Sequence, residues 1–106
     1  MPSKLVILIS GNGSNLQAII DAVAAGVLAD TIIALVVSNR KDAYGLERAR
    51  KANIPTLYHN LVPYGKAHPS ADPSTKYSPA ARAAYDADLA EKVLAVNPDL
   101  VVCAGW

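Results

Sequence analysis

Leu5-Val-Ile-Leu-Ile-Ser-Gly-Asn-Gly-Ser-Asn15 decides the fold of this 106-residue chain. Its first five residues are an unbroken aliphatic run, which is typical of a strand buried on both faces of a parallel sheet. Gly11-Asn-Gly13 then predicts a tight turn. Beyond it, apolar residues recur at the spacing of one helix face, at Leu16, Ile19, Ile20 and Val23, and Gly26 is placed to end that helix.

The next segment repeats the alternation of strand and helix. Residues 31–37 are rich in β-branched side chains and predict a second strand. A helix over 44–52, with Asn53 as its cap, is expected to follow. Residues 54–58 predict a short third strand, and because Pro55 has no N–H to donate, this strand should lie at an edge of the sheet.

A Pro-rich segment precedes the last helix and strand. Residues 59–78 show no regular periodicity, so we expect a long surface loop, either a tolerated insertion or a functional lid, with His59 and His68 at the surface. Ser78-Pro79 then supplies the N-cap and first residue of a helix. Residues 100–103 predict a fourth, buried strand, with Cys103 in the core.

This order of elements predicts an α/β fold with a Rossmann-like, three-layer parallel sheet of strand order 3-2-1-4. Strands one and four would then be neighbours whose outgoing helices lie on opposite faces. Ligands bind at such a switch point. We therefore expect residues 11–15 and Gly105-Trp106 to line one crevice together.

The glycine-rich turn predicts an anion site. It joins a buried strand to a helix N-terminus, where unpaired backbone N–H groups and the helix dipole favour a phosphate. The candidate binding residues are Asn12, Gly13, Ser14 and Asn15, the last two as side-chain donors or helix caps. The alternative is that the glycines only make a tight corner.

Other nucleotide-binding motifs fit less well. A dinucleotide fingerprint would have a third glycine where this chain has Leu16, and an acid where it has Ser38-Asn39-Arg40. Arg40 could still accept the additional phosphate of NADP, or be a solvated loop cation, so an NADP-dependent reductase remains a rival, as does a non-catalytic nucleotide-binding module. A Walker loop is excluded, since no Gly-Lys-Ser/Thr follows the glycines.

Composition limits the other functions. Apolar residues are 52% of the chain, charged residues 18%, and the net charge is +1, which predicts a globular protein without affinity for nucleic acid or membrane surfaces. The N-terminal apolar run is too short for a signal peptide, so we expect a cytoplasmic protein. Neither histidine has a Cys or acid at metal-ligand spacing, so no metal site is expected.

Residues 5–21 resemble the N-terminus of the glycinamide ribonucleotide formyltransferases. Further matches follow at Val37-Ser-Asn39, Ala43-Tyr-Gly-Leu-Glu-Arg-Ala49, Tyr85-Asp86 and Pro98-Asp-Leu-Val-Val-Cys-Ala-Gly105, and the Pro-rich segment looks more like fungal members. The resemblance implies that residues 1–106 are the N-terminal, phosphate-binding part of a single formyltransferase domain, truncated before its catalytic residues. It leaves the oligomeric state open.

The resemblance also implies a reaction, in which a formyl group passes from 10-formyltetrahydrofolate to glycinamide ribonucleotide in purine (IMP) synthesis. Gly13, Ser14 and Asn15 would hold the nucleotide phosphate. Arg82 would help to bind the folate; the alternative is an exposed helix arginine. The catalytic Asn, His and Asp of the family would lie beyond Trp106, so we expect no catalytic residue in this chain, no activity from it alone, and poor solubility because its fourth strand is an apolar edge.

Overall fold

The computed structural model describes residues 2–72 and 74–106 as a parallel sheet flanked by helices. The elements in chain order are β1 (Ser3–Ile9), α1 (Ser14–Ala24), β2 (Thr31–Ser38), α2 (Tyr44–Lys51), β3 (Thr56–Tyr58), α3 (Val62–Ala67), α4 (Pro79–Leu94) and β4 (Leu100–Cys103). All strand pairs are parallel, and the order is β3-β2-β1-β4. The predicted fold class and strand order are therefore confirmed.

β1 is the centre of the core because its side chains alternate between the two faces of the sheet. Leu5, Ile7 and Ile9 pack on the side of α1 and α2. Val6 and Leu8 pack on the other side, with Val93 of α4. The sheet thus lies between two helical layers, and each fully buried aliphatic side chain stabilises it by about 1.5–3 kcal/mol.

Two left-handed residues end α1 and α2, as the sequence predicted. Gly26 has φ 78° and Asn53 has φ 59°. The N–H of the following residue bonds back to the helix in each case, from Val27 to the Ala22 carbonyl at 3.0 Å and from Ile54 to the Ala49 carbonyl at 2.9 Å. These bonds satisfy terminal carbonyls in the manner of a Schellman motif, so both chain reversals are set locally.

β4 was expected to be buried, and this prediction is wrong for the structure as described. Leu100 is 58% exposed and Val101 is 41% exposed. Cys103, expected in the core, is also exposed in the residues described. The reason is position: β4 lies at the edge of the sheet and pairs with β1 alone, so an apolar run there is not covered on both faces.

Residues 59–78 were expected to form a loop throughout, but Val62–Ala67 form the short helix α3. Six residues are too few to show a helical period in the sequence. His59 was expected at the surface and is instead only 2% exposed, whereas His68 is exposed as predicted. Pro73, in the same segment, lies outside the described residues.

His59 is buried because it joins the end of β3 to α4. The Tyr85 hydroxyl donates to the His59 carbonyl at 2.8 Å, and His59 Nε2 lies 3.0 Å from the Tyr85 carbonyl. Lys92 Nζ lies 3.3 Å from Nδ1. An ammonium group only donates and a carbonyl only accepts, so the imidazole carries its proton on Nε2 and donates it to Tyr85.

Tyr85 should make the stability of the protein depend on alkaline pH. Burial, followed by the charge of Asp86, raises the pKa of Tyr85 to about 12, whereas the pKa of an unfolded tyrosine is about 10. The folded state therefore keeps this proton to higher pH than the unfolded state. The protonated Tyr85 hydroxyl therefore stabilises the folded state. This stabilisation is fully present below the pKa of the unfolded state and is lost as pH rises through the pKa of the folded state.

Urea unfolding of the wild type and Tyr85→Phe, from neutral pH to about pH 11, measures this contribution. We expect the wild type to be more stable by about 1 kcal/mol near neutrality, because its hydroxyl is hydrogen-bonded. The difference should shrink above about pH 10. A difference that stays constant across this range would contradict the assignment.

Candidate functional site

The turn between β1 and α1 presents unpaired backbone donors. Gly13 is the N-cap of α1, with φ 79° and ψ 25°, and it makes no side-chain cap. The first N–H groups of a helix have no intrahelical acceptor, and here they lie at the positive end of the dipole. Among the residues that the structure describes, the exposed side chains of Ser14 and Asn15 make no hydrogen bond. Neither therefore caps the helix, which leaves both side chains accessible to a ligand.

Gly13 lacks a side chain for a reason that the sequence did not reveal. A Cβ on Gly13 would lie 2.5 Å from Gly45 Cα, in the first turn of α2. A Cβ on Gly45 would in turn overlap Ile9 Cδ1. The Gly45 N–H donates to the Gly11 carbonyl at 3.1 Å. The glycine-rich turn and α2 thus meet backbone to backbone. A side chain at Gly13 would displace α2, whereas one at Gly45 would displace the Ile9 side chain and press on Gly13, whose Cα would lie 3.2 Å away.

Arg48 of α2 holds the turn from the side, and sequence reasoning missed it. Its Nε donates to the Asn12 carbonyl and its Nη2 to Asn12 Oδ1, both at 2.8 Å. Nη1 lies 3.3 Å from Gln17 Oε1, and the guanidinium lies 4.8 Å from the centre of the Tyr44 ring. The only signal in the sequence was the i, i+4 spacing of Tyr44 and Arg48, which places them on one helix face.

A cavity of about 360 Å³ lies at the carboxyl ends of β1 and β2. The residues on its walls include Ser10, Asn39, Arg40, Tyr77, Arg82 and Trp106. Ser10 Oγ donates to the Gly105 carbonyl, which joins the ends of β1 and β4. Residues 12–15 are not on these walls. The crevice expected from the sequence is therefore two neighbouring surfaces, the turn and this cavity, which meet at Ser10.

Arg82 is on the first turn of α4 and is exposed at the cavity. Its guanidinium lies 5.8 Å from the centre of the Tyr77 ring. Arg40, on the same cavity, lies 3.6 Å from Asp42, and its side chain is 62% exposed. The exposed carboxylate of Asp86 lies on the same wall and offsets part of this positive charge. Because Arg40 is beside Asp42, Arg82 is the better candidate of the two arginines for binding an anion.

Asn39 adds an acceptor to the cavity wall. Its Oδ1 is buried, and within residues 2–72 and 74–106 it has no hydrogen-bond partner. Buried polar atoms in folded proteins are nearly always paired. A donor from a ligand, water or another part of the protein is therefore expected at this atom.

The described residues place no group of three His, Cys, Asp or Glu side chains close enough to hold a metal ion. No helix within the same described ranges has the length and apolar character needed to cross a membrane.

Comparison with known proteins identifies the family. The family model described as formyl transferase matches residues 3–106. The chain belongs to the formyl transferase family. The glycine-rich turn and the cavity that Arg40 and Arg82 border both lie within the matched residues.

Curated relatives of this formyl transferase chain carry a more specific name. It is 56% identical over 108 residues to the phosphoribosylglycinamide formyltransferase of Schizosaccharomyces pombe, covering 100% of the chain and 48% of that relative. It is 47% identical over 105 residues to the enzyme of the same name from Saccharomyces cerevisiae, covering 98% and 48%. The chain thus spans about half the length of these relatives.

Solved structures agree with the sequence comparison. Glycinamide ribonucleotide transformylase 1 from Symbiobacterium toebii superposes with a TM-score of 0.77 at 41% identity, covering 99% of this chain and 42% of that one. The phosphoribosylglycinamide formyltransferase of Coxiella burnetii gives 0.77 at 39% identity, covering 100% and 42%. The four-stranded arrangement seen here is therefore that of the family.

Gly13→Ala should destabilise the protein, while Gly11→Ala should not. At Gly13 the new Cβ meets Gly45 and the backbone is left-handed, whereas a Cβ at Gly11 meets nothing within 4 Å. Overpacking and left-handed strain together predict a loss of about 2–4 kcal/mol for Gly13→Ala. Gly11→Ala should stay within about 0.5 kcal/mol of wild type. Urea unfolding measures both; equal losses would contradict the packing role of Gly13.

Proposed function

We propose that the protein to which this chain belongs is a phosphoribosylglycinamide formyltransferase of purine synthesis. It would transfer a formyl group from 10-formyltetrahydrofolate to the amine of glycinamide ribonucleotide. The observation that carries the proposal is the 56% identity over the whole chain to a relative of that name. The near-neutral net charge of +1 suits small-molecule substrates better than a nucleic-acid surface. A cytoplasmic location stays a prediction from the sequence.

The glycine-rich turn would bind the phosphate of glycinamide ribonucleotide. The proposed residues are Asn12, Gly13, Ser14 and Asn15. Support comes from the backbone donors at the N-terminus of α1 and from the exposed Ser14 and Asn15 side chains. Hydrogen bonds to a charged acceptor are the stronger kind, so several donors around one phosphate give both affinity and orientation.

The cavity wall would bind the folate donor. Arg82 fits a carboxylate, because a guanidinium group can donate two parallel hydrogen bonds to one. Trp106 is 38% exposed and offers ring surface nearby, and its ring centre lies 6.5 Å from that of the buried Tyr85. When bound, the donor supplies the formyl carbon. This chain supplies the groups that hold it in place.

The described residues bind and position rather than catalyse. Attack of the substrate amine on the formyl carbon needs a group that stabilises the developing oxyanion and another that moves protons. His59 cannot move a substrate proton, because it is 2% exposed and both ring nitrogens are occupied by Tyr85 and Lys92. We infer from the family resemblance that the Asn, His and Asp for these steps are not among residues 1–106.

A formyl-transfer assay on the product of the complete gene tests this proposal. Calorimetric titration with glycinamide ribonucleotide, a non-reactive folate analogue and NADPH should show binding of the first two only. NADPH binding without folate binding would favour a reductase and would overturn the proposal. The ion pair of Arg40 with Asp42 gives no support to the reductase, since that cation already has a partner.

Arg82→Met should raise KM for the folate donor about tenfold, because a charge-assisted hydrogen bond is lost. KM for glycinamide ribonucleotide should change little, since Arg82 does not border the glycine-rich turn. Arg40→Met is the matched comparison, because Arg40 lies on the same cavity but is paired with Asp42. A larger effect at Arg40 than at Arg82 would contradict the assignment of Arg82.

A further inference from the structure

The conformation of the glycine-rich turn depends on a helix distant in sequence. Arg48 is 36 residues from Asn12, yet it binds both the backbone carbonyl and the side-chain oxygen of that residue. Fork-like, charge-assisted bonds of this kind define direction as well as distance. The peptide that leads into the N-cap of α1 is therefore oriented by α2.

The other contacts of Arg48 fix the guanidinium itself. Nη1 reaches Gln17 Oε1 on α1, and Gln17 Nε2 in turn donates to Asp21 at 2.9 Å. Tyr44 is one turn earlier on α2, and the centre of its ring lies 4.8 Å from the guanidinium carbon in a cation–π arrangement. Arg48 is thus held by α1, by α2 and by the turn at once.

The geometry also determines what Asn12 can offer a ligand. Because Asn12 Oδ1 accepts from Arg48, the amide NH2 of that side chain is the end left over. An amide NH2 only donates, which suits an anion. A second effect is charge, since a half-buried guanidinium beside the turn raises the local positive potential.

We propose that Arg48 is a positioning residue for phosphate recognition by residues 12–15. It holds Asn12 so that the side-chain amide and the N–H groups of the first turn of α1 face the same anion. This inference rests on the proposed function of the turn and goes beyond it, because it assigns affinity for the nucleotide, and not for the folate, to a side chain outside the turn.

The test uses the complete gene product, with Arg48→Met, Arg48→Lys and the matched control Arg50→Met. Arg50 is on the same helix, and within the described residues its side chain makes only an exposed ion pair with Glu47, at 3.7 Å. Calorimetry with glycinamide ribonucleotide gives Kd, steady-state kinetics give KM for each substrate and kcat, and thermal melting reports folding.

We expect Arg48→Met to weaken binding of glycinamide ribonucleotide roughly tenfold to a hundredfold, the effect of losing bonds to a charged donor. KM for the folate should stay within about twofold, and Arg50→Met should match wild type. Arg48→Lys keeps the charge but cannot make both bonds to Asn12, so it should fall between wild type and Arg48→Met.

Three results would overturn the inference. One is an unchanged Kd for glycinamide ribonucleotide in Arg48→Met; another is an equal rise in KM for both substrates, which indicates a general structural role. The third applies if Arg48→Met does not fold: an Arg48→Lys variant that folds and binds glycinamide ribonucleotide with the wild-type Kd would also overturn the inference. A wild type that binds glycinamide ribonucleotide but transfers no formyl group would instead count against the proposed activity, and its Kd values would still test Arg48.

Discussion

The contact between Gly13 and Gly45 is the constraint on which the site depends. Two backbones approach so closely that a Cβ on Gly13 would lie 2.5 Å from Gly45 Cα. This contact brings the first turn of α2 against the N-terminus of α1 and makes the Gly45 N–H a donor to the Gly11 carbonyl. A side chain at Gly13 would push α2 away from the turn and so move Arg48 away from Asn12. The packing of α2 against the turn therefore also fixes the conformation of the turn.

The site has two parts because the helices next to the end of β1 lie on opposite faces of the sheet. α1 and α2 cover one face of the sheet and α4 the other. The turn after β1 consequently borders α2 and Arg48, while the cavity borders α4 and Arg82. Ser10 lies between them and is tied to Gly105 at the end of β4. A parallel sheet with this strand order thus places two candidate anion-binding surfaces side by side at the switch point.

Much of the fold could be predicted because its signals are local. The aliphatic run at 5–9, the helix-ending Gly26 and Asn53, and Pro55 at an edge strand each act within a few residues, and the structure has them as expected. The errors arose where local character misleads. Cys103 is in an apolar run but on an edge strand, and His59 is in a polar segment but is buried by Tyr85. The predicted strand order already put the fourth strand at an edge, but the burial of Cys103 was inferred from its apolar run alone. The burial of His59 depends on a residue 26 positions away, so no local pattern could reveal it.

The sequence by itself determined the order of the strands and of the three longer helices, and the location of the glycine-rich turn; that this turn faces a phosphate stays a prediction. These follow from side-chain periodicity and backbone freedom, which are properties of short segments. Only the tertiary structure decided why Gly13 must be glycine, which arginine holds the turn, and that turn and cavity are separate surfaces. Those features are contacts between residues about 30 or more positions apart, such as Gly13 with Gly45, Asn12 with Arg48 and Ser10 with Gly105, and such pairs meet only when the sheet has formed.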